Sequence, residues 1–236
     1  MRRIGLFIGS APVDLPGTPM VVDAHPRWGE PSAQPAAHRL GDVELIVLPR
    51  HGSAHDIAPH QVNYRANVWL MHQLGVEFLI AAYTVGGIDP ALSVGDIVVP
   101  QQLIDYTWGR AQTYDDQRRH VEFSQPFDAQ LCAAFCASDK TIIAQGVYGC
   151  TQGPRLETAA EIRRMARDGC TLVGMTAMPE VGLARELEMP VIPVCLVVNP
   201  AAGVSEGPID LEAIRAAGRA GAQRQADLVR QFCSVS

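Results

Sequence analysis

"VEFLIAAYTVGG", residues 76–87, is apolar at nearly every position until it reaches two glycines. A strand with one face in water alternates apolar and polar residues. One without that alternation is buried on both faces, which requires helices on each side of its sheet. The Gly86-Gly87 pair reads as the turn that ends the strand.

Outward from this stretch the chain alternates strand and helix. Before it, "PHQVNYRANVWLMHQLG" (59–75) places Val62, Ala66, Trp69, Leu70 and Leu74 on one helical face, with Gly75 as the stop. "VELIVLPR" (43–50) reads as a strand, and "MRRIGLFIGS" at the start as another. After it come "DKTIIAQGVYG" (139–149), a helix over Thr158–Asp168, "CTLVGM" (170–175), a helix over Ala177–Leu187, "PVIPVCLVVN" (190–199) and a last helix over Pro208–Phe232. The order predicts a single α/β domain over residues 1–236, a three-layer sandwich whose central mixed, mostly parallel sheet is flanked by helices.

Composition removes several function classes. With a net charge of −6 and only short basic clusters (Arg2-Arg3, Arg118-Arg119, Arg163-Arg164), the chain lacks the basic face that a nucleic-acid partner needs. The first apolar run is interrupted by Ser10 and Pro12, too early for a secretory core, and no segment approaches a membrane span. Six cysteines without a C-x-x-C pair, several inside apolar runs, read as buried free thiols in a reducing cytoplasm.

In folds of this class ligands gather at the carboxyl ends of strands. Five such ends share a chemistry: "FIGSA" (7–11), "LPRHG" (48–52), "AYTVGG" (82–87), "VGMT" (173–176) and "LVVNPAAG" (196–203). Ser10, Thr84 and Thr176 offer hydroxyls, glycines expose backbone N–H groups, and Arg50 with His51 brings positive charge and further donors. That set suits a tetrahedral oxyanion. A metal reading of His51 and His55 is weaker, because Gly52 and Pro59 oppose a helix and no H-E-x-x-H motif is present. A serine hydrolase would need a G-x-S-x-G elbow, which the chain lacks.

The motifs "RHG…H…P…VNYRANVW", "GDIVVPQQLIDYTWGR…TY", "GVYGCTQGPRLET", "VGMTAMPE…LARELEMP" and "LVVNPAAG" resemble the trimeric purine nucleoside phosphorylase superfamily, in particular its methylthio-nucleoside members. The resemblance implies phosphorolysis of a purine N-glycosidic bond with inorganic phosphate as co-substrate, no cofactor and no metal. It places Ser10, Arg50, His51, Thr84 and Thr176 around phosphate, Met175 against the ribose, and Leu156, Glu157, Val173 and Asn199 around the base. Asn199, Glu157 and His51 are the implied catalytic groups. It assigns Pro208 or Ile209, early in the last helix and with Ile209 preferred, to the 5' substituent, and His120 to the site of a neighbouring subunit in a homotrimer.

Asn199 stands where adenine-selective relatives carry aspartate. Paired with Glu157, it implies a 6-oxopurine, whose N1–H the carboxylate would accept. An aliphatic Ile209 implies a 5'-methylthio group rather than a hydroxyl. The expected reaction is S-methyl-5'-thioinosine plus phosphate to hypoxanthine plus 5-methylthioribose 1-phosphate, with an inosine/guanosine or methylthioadenosine phosphorylase as alternatives. Three departures stand against the pattern: Ile8-Gly9-Ser10-Ala11 lacks two glycines of the family's first phosphate loop, Leu156 replaces an aromatic, and Tyr83 stands where smaller residues are common. They leave a catalytically weak nucleoside-binding protein as the reading from a different class.

Overall fold

The computed structural model describes residues 1–11, 15, 17–114 and 120–235. Its centre is the stretch that opened the reading: β5, Phe78–Gly87, is buried along almost its whole length. The other strands are β1 (Arg2–Ile8), β2 (Thr18–Pro19), β3 (Ala36–Leu40), β4 (Val43–Pro49), β6 (Ile97–Val98), β7 (Gln102–Asp105), β8 (Val147–Cys150), β9 (Leu172–Gly174) and β10 (Val191–Pro200). The helices are α1 (Tyr64–Gln73), α2 (Ala129–Ala137), α3 (Ala159–Arg167), α4 (Ala177–Glu186) and α5 (Leu211–Val235).

All ten strands join one mixed sheet. Its two longest pairings, β10 with β5 and β1 with β4, are parallel, as is β1 with β5, and its antiparallel ones include β2 with β3 and β3 with β4 at one edge. Side chains of β5 alternate between two cores. Leu79, Ala81, Tyr83 and Val85 pack with residues of α1 and α4, whereas Phe78, Ile80 and Ala82 pack with Phe135 of α2 and Leu228, Val229 and Phe232 of α5. The period of two on a strand thus fills both faces, as the continuous apolar run required.

Gly86 and Gly87 are not a turn. They are the last residues of β5, paired with Asn199 and Pro200 on one edge and with Val173 and Leu172 on the other. A Cβ on Gly86 would stand 3.1 Å from Val173 Cγ1, so the missing side chain lets β9 close against the strand end.

Three other segments differ from expectation. In "DKTIIAQGVYG" only residues from Val147 onward form a strand. Asp139 Oδ1 accepts the Thr141 backbone N–H at 2.7 Å, an Asx turn, and Gly146 has φ +149°, so the earlier part cannot extend regularly. On α1 the buried residues are Tyr64, Ala66, Asn67, Val68, Leu70 and Met71, with Trp69 only half-buried. Asn67 enters the interior because its amide bonds both the backbone N–H and the hydroxyl of Ser32. The last helix starts at Leu211, since Asp210 Oδ1 accepts the Glu212 and Ala213 N–H groups as an N-cap. By contrast, α3 begins and ends as expected, with Thr158 and Glu161 closing a capping box.

Candidate active site

The carboxyl ends of β1, β4, β5, β9 and β10 converge on a cavity of about 180 Å³. Its wall holds Ser10, His51, Thr84, Val173, Met175, Thr176 and Asn199 from those ends. The loop after β8 adds Leu156 and Glu157, and the segment entering α5 adds Ile209 and Ile214. Residues scattered over two hundred positions therefore meet because the parallel strands β1, β4, β5 and β10 end on one side of the sheet, while β9, antiparallel to β5, runs back along it and brings its own end to the same place.

At one end of the cavity the polar groups are hydroxyls. Thr176 is the N-cap residue of α4, yet its side chain makes no capping bond, so the hydroxyl remains available to the cavity. Gly9 lies deep in this corner: a Cβ there would stand 3.1 Å from Ala82 O and 3.2 Å from Arg50 Nη1. Ala11, one of the two departures from the expected glycine loop, is buried in the sheet's second core and is not on the cavity wall.

Arg50 is not on that wall either. Its guanidinium is wholly buried, with Nε donating to Glu180 Oε2 at 2.6 Å, Nη2 to Glu180 Oε1 at 2.8 Å and Nη1 to Ala82 O at 3.1 Å. Tyr83 donates to the same carboxylate at 2.8 Å, and the arginine lies 4.8 Å over its ring. Burial alone would lower the arginine's pKa, but the charge and hydrogen bonds of Glu180 raise it above its ordinary value. Tyr83 is pushed well above the usual phenol range by burial and by Glu180. The cation expected from sequence is present, but it is a paired one behind the site.

His51 also differs from a simple positive donor. Its Nδ1 lies 2.8 Å from Ile57 O, and its pKa is lowered to about 4, by burial first and then by the Arg50 charge. The imidazole is neutral at neutral pH. Its neighbour His55 packs edge-on at 5.1 Å between centroids and has φ +55°.

The other end of the cavity is built differently. Thr151 Oγ1 donates to Glu157 Oε1 at 2.5 Å, which fixes the carboxylate and leaves Oε2 with its accepting capacity. Asn199 follows a register shift between Val197 and Asn199 in β10, and its Nδ2 donates to Pro200 O at 2.7 Å. The bulge turns the amide from the ladder toward the cavity. Ile209, just ahead of the Asp210 cap, and Ile214, one turn into α5, form an aliphatic wall. Arg110 holds this end in shape: it donates to backbone carbonyls of Gln152, Met175 and Met178 from one guanidinium.

Sequence reasoning thus placed ten of its named residues on one wall: Ser10, His51, Thr84, Leu156, Glu157, Val173, Met175, Thr176, Asn199 and Ile209. It placed Arg50 around the phosphate, whereas the guanidinium lies behind the wall, paired with Glu180. His120 is exposed and does not line this cavity. Glu180, Thr151 and Arg110 were missed; each acts on a partner at least six residues away, and only their presence inside the quoted motifs marks them.

A hydroxyl-lined pocket continuous with a carboxylate, an amide and an aliphatic wall thus lies at the strand ends of this α/β sheet. The chain belongs to the phosphorylase superfamily, which its residues 31–234 match. It is 48% identical over 202 residues to a Pseudomonas syringae protein named probable S-methyl-5'-thioinosine phosphorylase, covering 82% of each chain. It is 45% identical over 181 residues to an S-methyl-5'-thioadenosine phosphorylase of Mycolicibacterium smegmatis, covering 76% of this chain and 70% of the relative. Methylthioadenosine phosphorylase from Schistosoma mansoni, solved with adenine, superposes with a TM-score of 0.90 at 26% identity, over 100% of this chain and 92% of that one.

Proposed function

We propose that this protein is a purine nucleoside phosphorylase whose substrate is a 6-oxopurine nucleoside with a 5'-methylthio group, S-methyl-5'-thioinosine. The observation that carries the reading is the meeting of Glu157, Asn199 and Ile209 on one cavity wall. A 6-oxopurine offers an N1–H, which Glu157 Oε2 accepts, and an N7 lone pair, which takes an N–H of Asn199. Adenine offers a lone pair at N1, and a carboxylate facing it would be left unpaired, at a cost of about 1–3 kcal/mol or more. The aliphatic wall at Ile209 and Ile214 suits a thioether better than a hydroxyl.

The chemistry follows from the two ends. A phosphate oxygen bonds to C1' of the sugar as the C1'–N9 bond breaks, and the bonding pair moves into the purine. Phosphate held by Ser10, Thr84, Thr176 and His51 is both nucleophile and counter-charge to the cationic sugar. Arg50, with two guanidinium hydrogens beyond its three bonds, supports the anion from behind. Asn199 stabilises charge developing on N7, and Met175 packs against the ribose. No cofactor is required by these steps. In this reading the chain is a cytoplasmic homotrimer in which exposed His120 reaches the neighbouring subunit's site.

The test is phosphate-dependent base release from S-methyl-5'-thioinosine, S-methyl-5'-thioadenosine, inosine and adenosine in parallel. Release fastest from the first supports the reading. Release fastest from S-methyl-5'-thioadenosine overturns the base assignment, equal use of inosine overturns the 5' assignment, and no release from any overturns the activity.

A further inference from the structure

The anion end of the cavity is rich in groups that donate, and the hydroxyls of Ser10, Thr84 and Thr176 can also accept. His51 is different. Its Nδ1 stands 2.8 Å from the carbonyl of Ile57, an oxygen that can only accept, so the ring proton sits on Nδ1. Nε2 makes no hydrogen bond to any described residue, and the ring, 6% exposed, lies on the cavity wall. Burial first, then the charge of Arg50 and the neighbouring His55, oppose a second proton on the ring. The other acceptor near this corner, Glu180, is saturated by Arg50 and Tyr83 and buried off the wall.

We propose that His51 presents a bare Nε2 as an obligate acceptor, so that the site selects a tetrahedral oxyanion that carries a proton over one that carries none. This rests on the phosphate reading of the cavity and adds the protonation state of its ligand. Hydrogen phosphate keeps an O–H at neutral pH and donates it to Nε2. Sulfate has no proton to give and sets an oxygen lone pair against the nitrogen lone pair. Size and shape are nearly equal, so the discrimination lies in one hydrogen bond, as in any site that leaves a buried polar group unpaired with the wrong ligand.

The experiment is calorimetric titration of the full chain with phosphate, sulfate and monofluorophosphate at about pH 7.5 and fixed ionic strength. Monofluorophosphate keeps phosphorus and the double charge but has fluorine in place of the hydroxyl. The wild-type protein is expected to bind phosphate at least about 10-fold more tightly than either proton-free anion. In His51→Gln the side-chain amide can turn an N–H toward the anion, and the ratio is expected to fall within about 3-fold as sulfate tightens. Equal binding of phosphate and sulfate by the wild type overturns the inference, as does an unchanged ratio in His51→Gln. The wild-type comparison with monofluorophosphate decides the matter even if the variant does not fold. Binding of none of the three anions would overturn the phosphate reading itself, and with it this inference.

Discussion

Arg155 and Arg50 each grip a carboxylate with two hydrogen bonds, in opposite surroundings. Arg155 holds Glu161 at 2.8 and 2.9 Å on the surface, with side-chain exposures of 67% and 43%. Arg50 holds Glu180 at 2.6 and 2.8 Å with exposures of 0% and 1%. Both are two-bond forks, end-on through Nη1 and Nη2 at Arg155 and side-on through Nε and Nη2 at Arg50, but their consequences differ. In water each partner of the surface pair is solvated with or without the other. Under the cavity neither can be, so removing one partner leaves the other charged, dry and unpaired. Burial, rather than the fork of bonds, makes the second pair a fixed part of the site.

The largest effect expected follows directly. Glu180→Ala strands the Arg50 guanidinium and should destabilise the fold by about 3–5 kcal/mol, read from urea unfolding. A change comparable to that of Arg155→Ala would break the comparison. Glu180→Gln keeps the shape and removes the charge, and it should fall between the two while weakening phosphate use more than nucleoside use.

A smaller effect comes from His51, which shares its surroundings with Arg50. In the fold its pKa is about 4, and in the unfolded chain about 6.5. Between those values the unfolded state binds more protons, so this contribution is complete above about pH 6.5 and is lost as pH falls toward about 4. The loss is about 3 kcal/mol at most, and His51→Gln should lack it in unfolding curves measured across that range. An identical pH slope in wild type and variant would show that the imidazole is not held neutral.

The smallest effect is at the surface. Arg155→Ala should move the melting temperature by less than about 2 °C, because it removes an ion pair that solvent replaces and leaves the capping box of α3 intact. A larger fall would mean that the pair organises the neighbouring loop that carries Leu156 and Glu157.

The same contrast explains what could be read from the sequence. β5 and β10 declare themselves because nearly every residue is buried, and α3 because its cap, amphipathic period and end are all local. Ser10, Thr176 and Asn199 were legible for a related reason: each stands at or just past the end of an apolar strand, so position along the chain gives position in space, and Thr84 sits in the last half of β5. β3, whose "AAHRL" mixes burial states at the sheet edge, has no such signature, and neither does β7. Arg50 was found and its state was not. Its carboxylate is 130 residues away, and a sequence shows a charge without showing what neutralises it. His51 illustrates the same gap at closer range, since its tautomer depends on the carbonyl of Ile57, six residues on.

The central claim is that Glu157, held by Thr151, reads the N1–H of a 6-oxopurine. The measurement that meets it most directly is the ratio of kcat/KM for S-methyl-5'-thioinosine to that for S-methyl-5'-thioadenosine, in wild type and in Glu157→Gln. The account predicts a ratio well above one in the wild type that falls by about 30-fold or more in the variant, whose amide can also donate to an adenine N1. A ratio that stays the same in both proteins would contradict it.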